Sequence, residues 1–167
     1  MADPFIPSSK KRIWIPVVGA AIVVCALALT AFLFRPYFQD YDIGRVDQSF
    51  VKIENNEDAV HELKAVSRLC DHVHGSNSLH YYGTAYKALL QNPEPFFVLA
   101  ERGSDQGKQF VAKVLSDGKK SYVEWYGVEK SGGLDSANEV VGKLSKSGAT
   151  NTAVLDAFRK GIATDYP

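Results

Sequence analysis

Gln109-Phe-Val-Ala-Lys-Val-Leu-Ser-Asp-Gly-Lys-Lys-Ser-Tyr-Val-Glu-Trp-Tyr126 is the stretch on which the fold turns. Its two flanks, 109–115 and 121–126, are rich in β-branched and aromatic residues, and Asp117-Gly118 lies between them. An Asp-Gly pair tolerates the positive φ angles of a two-residue hairpin turn, so the pattern predicts two antiparallel strands. Upstream, Phe96-Phe-Val-Leu-Ala100 follows Pro95 and reads as another strand, joined to the first by a looser turn over 103–107. The three strands predict a meander, and the weak alternation of Ser49-Phe-Val-Lys-Ile53 adds a strand ahead of it.

Helices are expected on either side of this sheet. Asn55 or Asn56 supplies an N-cap, with Glu57 and Asp58 in the first turn. Val60, Leu63, Val66, Leu69, Cys70 and Val73 then share one helical face, which Gly75 ends. A second helix, capped by Asn77 or Ser78, carries Leu79, Tyr82, Tyr86, Leu89 and Leu90 and stops at Asn92-Pro93. After 131–133, Asp135 caps a helix with Val140, Val141 and Leu144 inward. Thr150 or Asn151 caps the last, with Val154, Leu155, Phe158 and Ile162 toward the core. The order β-α-α-β-β-β-α-α predicts an α+β domain: an antiparallel sheet of three to four strands, with about four helices on one face.

The segments Val98-Leu-Ala100, Phe110-Val-Ala-Lys-Val-Leu115 and Tyr122-Val-Glu-Trp-Tyr-Gly127 resemble the strand succession of Tudor and PWWP-type SH3-like barrels. That resemblance implies methylated-peptide binding through an aromatic cage.

Ahead of the domain, residues 13–34 form an uncharged apolar run, long enough as a helix to span a bilayer core. Lys10, Lys11 and Arg12 precede it, and Arg35, Asp40 and Asp42 follow. The positive-inside bias predicts a single-pass membrane protein with its N-terminus cytoplasmic and its C-terminal domain on the opposite face. Trp14 and Phe34 suit the interfacial belts. A cleaved secretory signal is the alternative, since a basic region and an apolar core are both present. The expected organisation is a basic cytoplasmic tail over 1–12, a transmembrane helix over 13–34, a juxtamembrane segment over 35–47 and a globular domain over 48–167.

From Pro36 on, 132 residues hold 15 Lys plus Arg against 18 Asp plus Glu, a formal charge of −3. Such a domain has no electrostatic footprint for nucleic acid, and none is expected as a partner. The two cysteines, Cys25 and Cys70, offer no disulfide framework.

No nucleophile elbow, P-loop or dinucleotide fingerprint occurs, so no catalytic residue and no cofactor is expected. Cys70, His72, His74 and His80 are the residue types that could ligate zinc or copper. Two histidines at alternate positions near a helix end, however, read more simply as surface and helix-terminal residues, and no metal site is expected. The aromatics are the more informative group. Phe96, Phe97, Tyr122, Trp125 and Tyr126 crowd the expected strands, and an exposed aromatic strip on a small domain points to a protein partner.

The expectation is a membrane-anchored structural or accessory subunit of a larger assembly. A membrane complex fits, as does the inner-membrane or capsid layer of a virion. Such a protein would contact lipid and the other subunits and would not be an enzyme. The alternative is a membrane-tethered enzyme or metal-binding domain built around Cys70, His72, His74 and His80.

Overall fold

A computed structural model describes residues 42–127 and 133–164. Residues 109–126, read from the sequence as a hairpin, lie within one continuous helix, and no strand occurs among the described residues. Seven helices are described: α1 (Ile43–Glu54), α2 (Ala59–Ser67), α3 (Ser76–Gln91), α4 (Glu94–Arg102), α5 (Asp105–Tyr126), α6 (Leu134–Lys146) and α7 (Thr152–Ala163). The expected α+β class is therefore corrected to all-α, and the likeness to an SH3-like barrel lapses with the strands that carried it.

The reason is the spacing of the buried positions. In α5, Gly107, Phe110 or Val111, Val114, Gly118 and Ser121 are buried at intervals of three and four that make one stripe of a helix. Gly118 belongs to that stripe as a small residue at a helix crossing, not as a turn. Ser104 caps the helix, its side chain accepting from the Gly107 N–H at 3.2 Å. Gly127 ends it at φ +63°, a left-handed conformation that glycine adopts without penalty.

The other expected strands dissolve for similar reasons. In α4, Pro95 occupies the first turn, where a missing N–H matters least, and Phe96, Phe97 and Leu99 are buried. In α1, Val46, Phe50 and Ile53 are buried at helical intervals, and Asp42 caps the start by accepting from the Arg45 N–H. Asn55 and Asn56 do not open a helix. Asn55 closes α1, while Asn56 and Asp58 sit at positive φ in the turn to α2.

The helices expected at α3, α6 and α7 are present, but Gly75 rather than Asn77 or Ser78 precedes α3, and Gly133 precedes α6, with Asp135 in its first turn. Asn151 caps α7 by accepting from the Val154 N–H, and Val140, Val141, Leu144, Phe158 and Ile162 are buried.

The central helix is α3, buried almost without interruption from His80 to Leu89 and packed most extensively on α5. The two run antiparallel and approach closely because small residues face each other's backbone. A Cβ at Gly83 would lie 2.9 Å from the Ser121 carbonyl oxygen, and one at Gly118 would lie 2.9 Å from Tyr86 Cβ. Helix α7 closes on α5 in the same way, Gly161 sitting against Leu115. Lys119, itself buried, donates to the Thr164 carbonyl at 2.8 Å and so satisfies a free C=O just past the end of α7.

Phe50, Tyr81, Phe110 and Phe96 form a chain of ring contacts through the core, with centroids 5.5–6.4 Å apart. At the lower end of α1, the Asn92 side-chain amide donates to the Ile53 carbonyl at 2.8 Å and to Asn56 Oδ1 at 3.4 Å.

The single-pass membrane expectation and the localisation built on it are also corrected. Among the described residues no helix is long and apolar enough to cross a membrane. Even α5, 22 residues long, carries seven charged side chains. The run over 13–34, with Trp14, Phe34, Lys10, Lys11 and Arg12, lies outside the described residues, as does most of the expected juxtamembrane segment.

Candidate functional site

The five aromatics expected to form an interaction strip part company in the helical fold. Phe96 and Phe97 are buried at 0% and 5% exposure and belong to the core. Tyr122 is half-buried and packs on the cluster. Trp125 and Tyr126 stand at the surface, 42% and 43% exposed, in the last turn of α5. Both are large apolar rings, and both are held from below.

The supports come from α3. His80 and Thr84, one helical turn apart, face the end of α5 from below, and both are buried. The His80 ring meets Trp125 edge-on, with centroids 4.9 Å apart and planes at 68°. Thr84 Oγ1 lies 3.0 Å from Tyr126 Oη, a hydroxyl–hydroxyl hydrogen bond. Tyr122 contacts Tyr126 at 5.1 Å between centroids and reaches down to Tyr86 at 6.1 Å. Each exposed ring thus has a named partner beneath it.

Helix α1 completes the arrangement. Asp47 Oδ1 lies 2.8 Å from His80 Nε2, and the His80 side chain is almost fully enclosed. A carboxylate only accepts, so Nε2 carries the hydrogen and donates. Asp47 itself is half-exposed. One imidazole therefore contacts both a half-exposed carboxylate and an exposed indole.

The soft-ligand candidates are not brought together. Cys70 is buried after α2, where its Sγ donates to Asp71 Oδ1 at 3.6 Å. Burial pushes its thiol pKa up, and the adjacent Asp71 carboxylate pushes it further. His72 and His74 are exposed in the turn that follows, whereas His80 is committed to Asp47 and Trp125. Among the described residues no group of three or more His, Cys, Asp or Glu side chains could hold a metal ion.

One buried polar group stands apart. Among the described residues, Tyr86 Oη has no hydrogen-bond partner. Desolvation holds its phenol, and that of Tyr82, well above the ordinary tyrosine range. By contrast, Tyr81 Oη donates to the Val66 carbonyl at 2.6 Å, and Tyr82 Oη to the Cys70 carbonyl at 3.3 Å.

The His80–Asp47–Trp125 contact was not assembled from the sequence, which grouped His80 with the nearby cysteine and histidines. The i, i+4 spacing of His80 and Thr84 on a recognised helix was the available signal. Its partners could be found only once 121–126 was helical. No known protein family, curated protein or solved structure matches the chain.

Proposed function

We propose that this domain is a docking module, a structural or accessory subunit that works through protein–protein contacts made by the end of α5. The observation that carries this reading is the pair Trp125 and Tyr126, exposed yet each in contact with a buried side chain of α3, His80 and Thr84. Large aromatics dominate binding energy at interfaces. Holding them in place beforehand lowers the entropy lost on association. A ring whose position is set by buried side chains beneath it is suited to that role.

The test is the double variant Trp125→Ala, Tyr126→Ala in the full chain, compared with the parent by crosslinking and mass spectrometry in its native setting. Truncating two anchors is expected to weaken association by about 2 kcal/mol or more. Circular dichroism and a melting curve would establish that the helices persist. An unchanged crosslink pattern in a folded variant would remove this reading.

A further inference from the structure

The carboxylate beside the aromatic pair narrows the chemistry of the partner. Asp47 presents one oxygen to His80, and its carboxylate is half-exposed. No lysine or arginine among the described residues pairs with it; its ion-pair contact is His80. On the two helices that support the rings, Lys87 pairs with Glu54 at 3.1 Å and Lys120 lies 3.8 Å from Glu124. Asp47 and Trp125 contact the same imidazole, so both fall within the span of one long side chain.

We propose that the patch receives an arginine-bearing segment of the partner, its guanidinium seated against the Trp125 indole and forked toward the free oxygen of Asp47. A guanidinium is planar, weakly hydrated and permanently charged, so it can stack on an indole and donate to a carboxylate at once. A lysine ammonium meets the charge requirement but not the planar one. An acidic or wholly apolar segment would repel the Asp47 carboxylate or desolvate its second oxygen with no further partner. Tyr126, fixed through Thr84, supplies the adjoining apolar wall. This inference rests on the docking reading and specifies what it docks.

The experiment places the photocrosslinking residue p-benzoylphenylalanine at position 126 of the full chain and irradiates the native assembly. The captured peptide is sequenced, with and without Asp47→Asn. The asparagine keeps an oxygen that accepts from His80 Nε2, so it removes the charge while leaving the local bond. Capture of a partner peptide holding an arginine, with yield lowered about fivefold by Asp47→Asn, supports the inference. Replacing that arginine by lysine should then give an intermediate loss. Capture of a segment without arginine or lysine, insensitive to Asp47→Asn, overturns the inference and leaves the docking reading standing. Capture of residues 1–41 of the same chain overturns the inference in favour of an internal cover. With Asp47 intact, absence of any captured neighbour overturns both.

Discussion

Replacing Gly83 and Gly142 by alanine, one at a time, should move stability in opposite directions. Both glycines lie inside helices, Gly83 in α3 and Gly142 in α6. Helix propensity alone favours alanine over glycine by about 0.8–1 kcal/mol at either position. At Gly142 a new Cβ would find nothing within 4 Å, so that gain should be realised. At Gly83 the Cβ would lie 2.9 Å from the Ser121 carbonyl oxygen, 3.0 Å from its carbonyl carbon and 3.1 Å from Tyr122 Cα. All three are backbone atoms of α5, so no side chain can rotate away. The two helices must separate, and such overpacking costs about 1–3 kcal/mol.

The balance is a net loss of about 1 kcal/mol for Gly83→Ala and a gain of about 0.5–1 kcal/mol for Gly142→Ala. For a domain of this size the first should lower Tm by roughly 3–6 °C, and the second should raise it by a few degrees. Thermal unfolding followed by circular dichroism at 222 nm would measure both, with reversibility checked by rescanning. If Gly83→Ala proved as stabilising as Gly142→Ala, α3 and α5 could not meet at Gly83. The support of Trp125 by His80 would then lose its basis.

Three further outcomes are expected. Tyr86→Phe should leave stability unchanged or raise it by up to about 1 kcal/mol, because the buried hydroxyl it removes has no partner. Tyr81→Phe should cost about 1 kcal/mol through loss of the bond to Val66; chemical denaturation curves would compare them. The domain should lose stability in alkali. Burial raises the Tyr82 and Tyr86 pKa values above their unfolded value near 10, so their contribution is complete below that pH and is lost as pH rises through the folded values. Denaturant midpoints from pH 8 to pH 12 would show this, and Tyr86→Phe should flatten the decline. Finally, in a Cys25→Ser background the Cys70 thiol should resist Ellman's reagent until the protein unfolds, since it is 2% exposed and its pKa is raised by burial. Rapid labelling of the folded protein would contradict its placement in the core.

The helices that could be read in advance were those whose boundaries and faces agreed. At α7 an N-capping Asn151 and an apolar stripe coincide; at α6 the apolar stripe and the glycine after it coincide, while Asp135 falls in the first turn and not at the cap. The Asn92-Pro93 stop closed α3 in the same way. The misreading at α5 came from letting one dipeptide outweigh a period. Asp117-Gly118 is a strong hairpin signal only where its flanks alternate, and these flanks do not. Phe110 or Val111, Val114, Gly118 and Ser121 follow the helical interval once small residues are allowed to count as buried. Glycine at a helix–helix crossing and glycine in a turn are indistinguishable by composition. They differ by what lies opposite, here the Cβ of Tyr86 and the backbone of Ser121, which sequence cannot supply.

The same limit governed the site. The sequence offers Trp125 and Tyr126 as aromatics on opposite faces of a strand, whereas the structure exposes both on one helix. In a helix, consecutive residues diverge by roughly 100°, so both can stand at the surface while leaning on different residues beneath. Trp125 leans on His80 and Tyr126 on Thr84, and those two are one turn apart on α3. The pairing is a matter of register between two antiparallel helices, and Gly83 and Gly118 set that register by permitting close approach at one place. Whether the surface pair stays ordered therefore depends on glycines buried beneath it. In a Trp14→Phe background, Gly83→Ala should alter Trp125 fluorescence, because the added Cβ presses on the Ser121 and Tyr122 backbone one turn before it. His80 carries that dependence outward to the half-exposed carboxylate of Asp47, 2.8 Å from its Nε2.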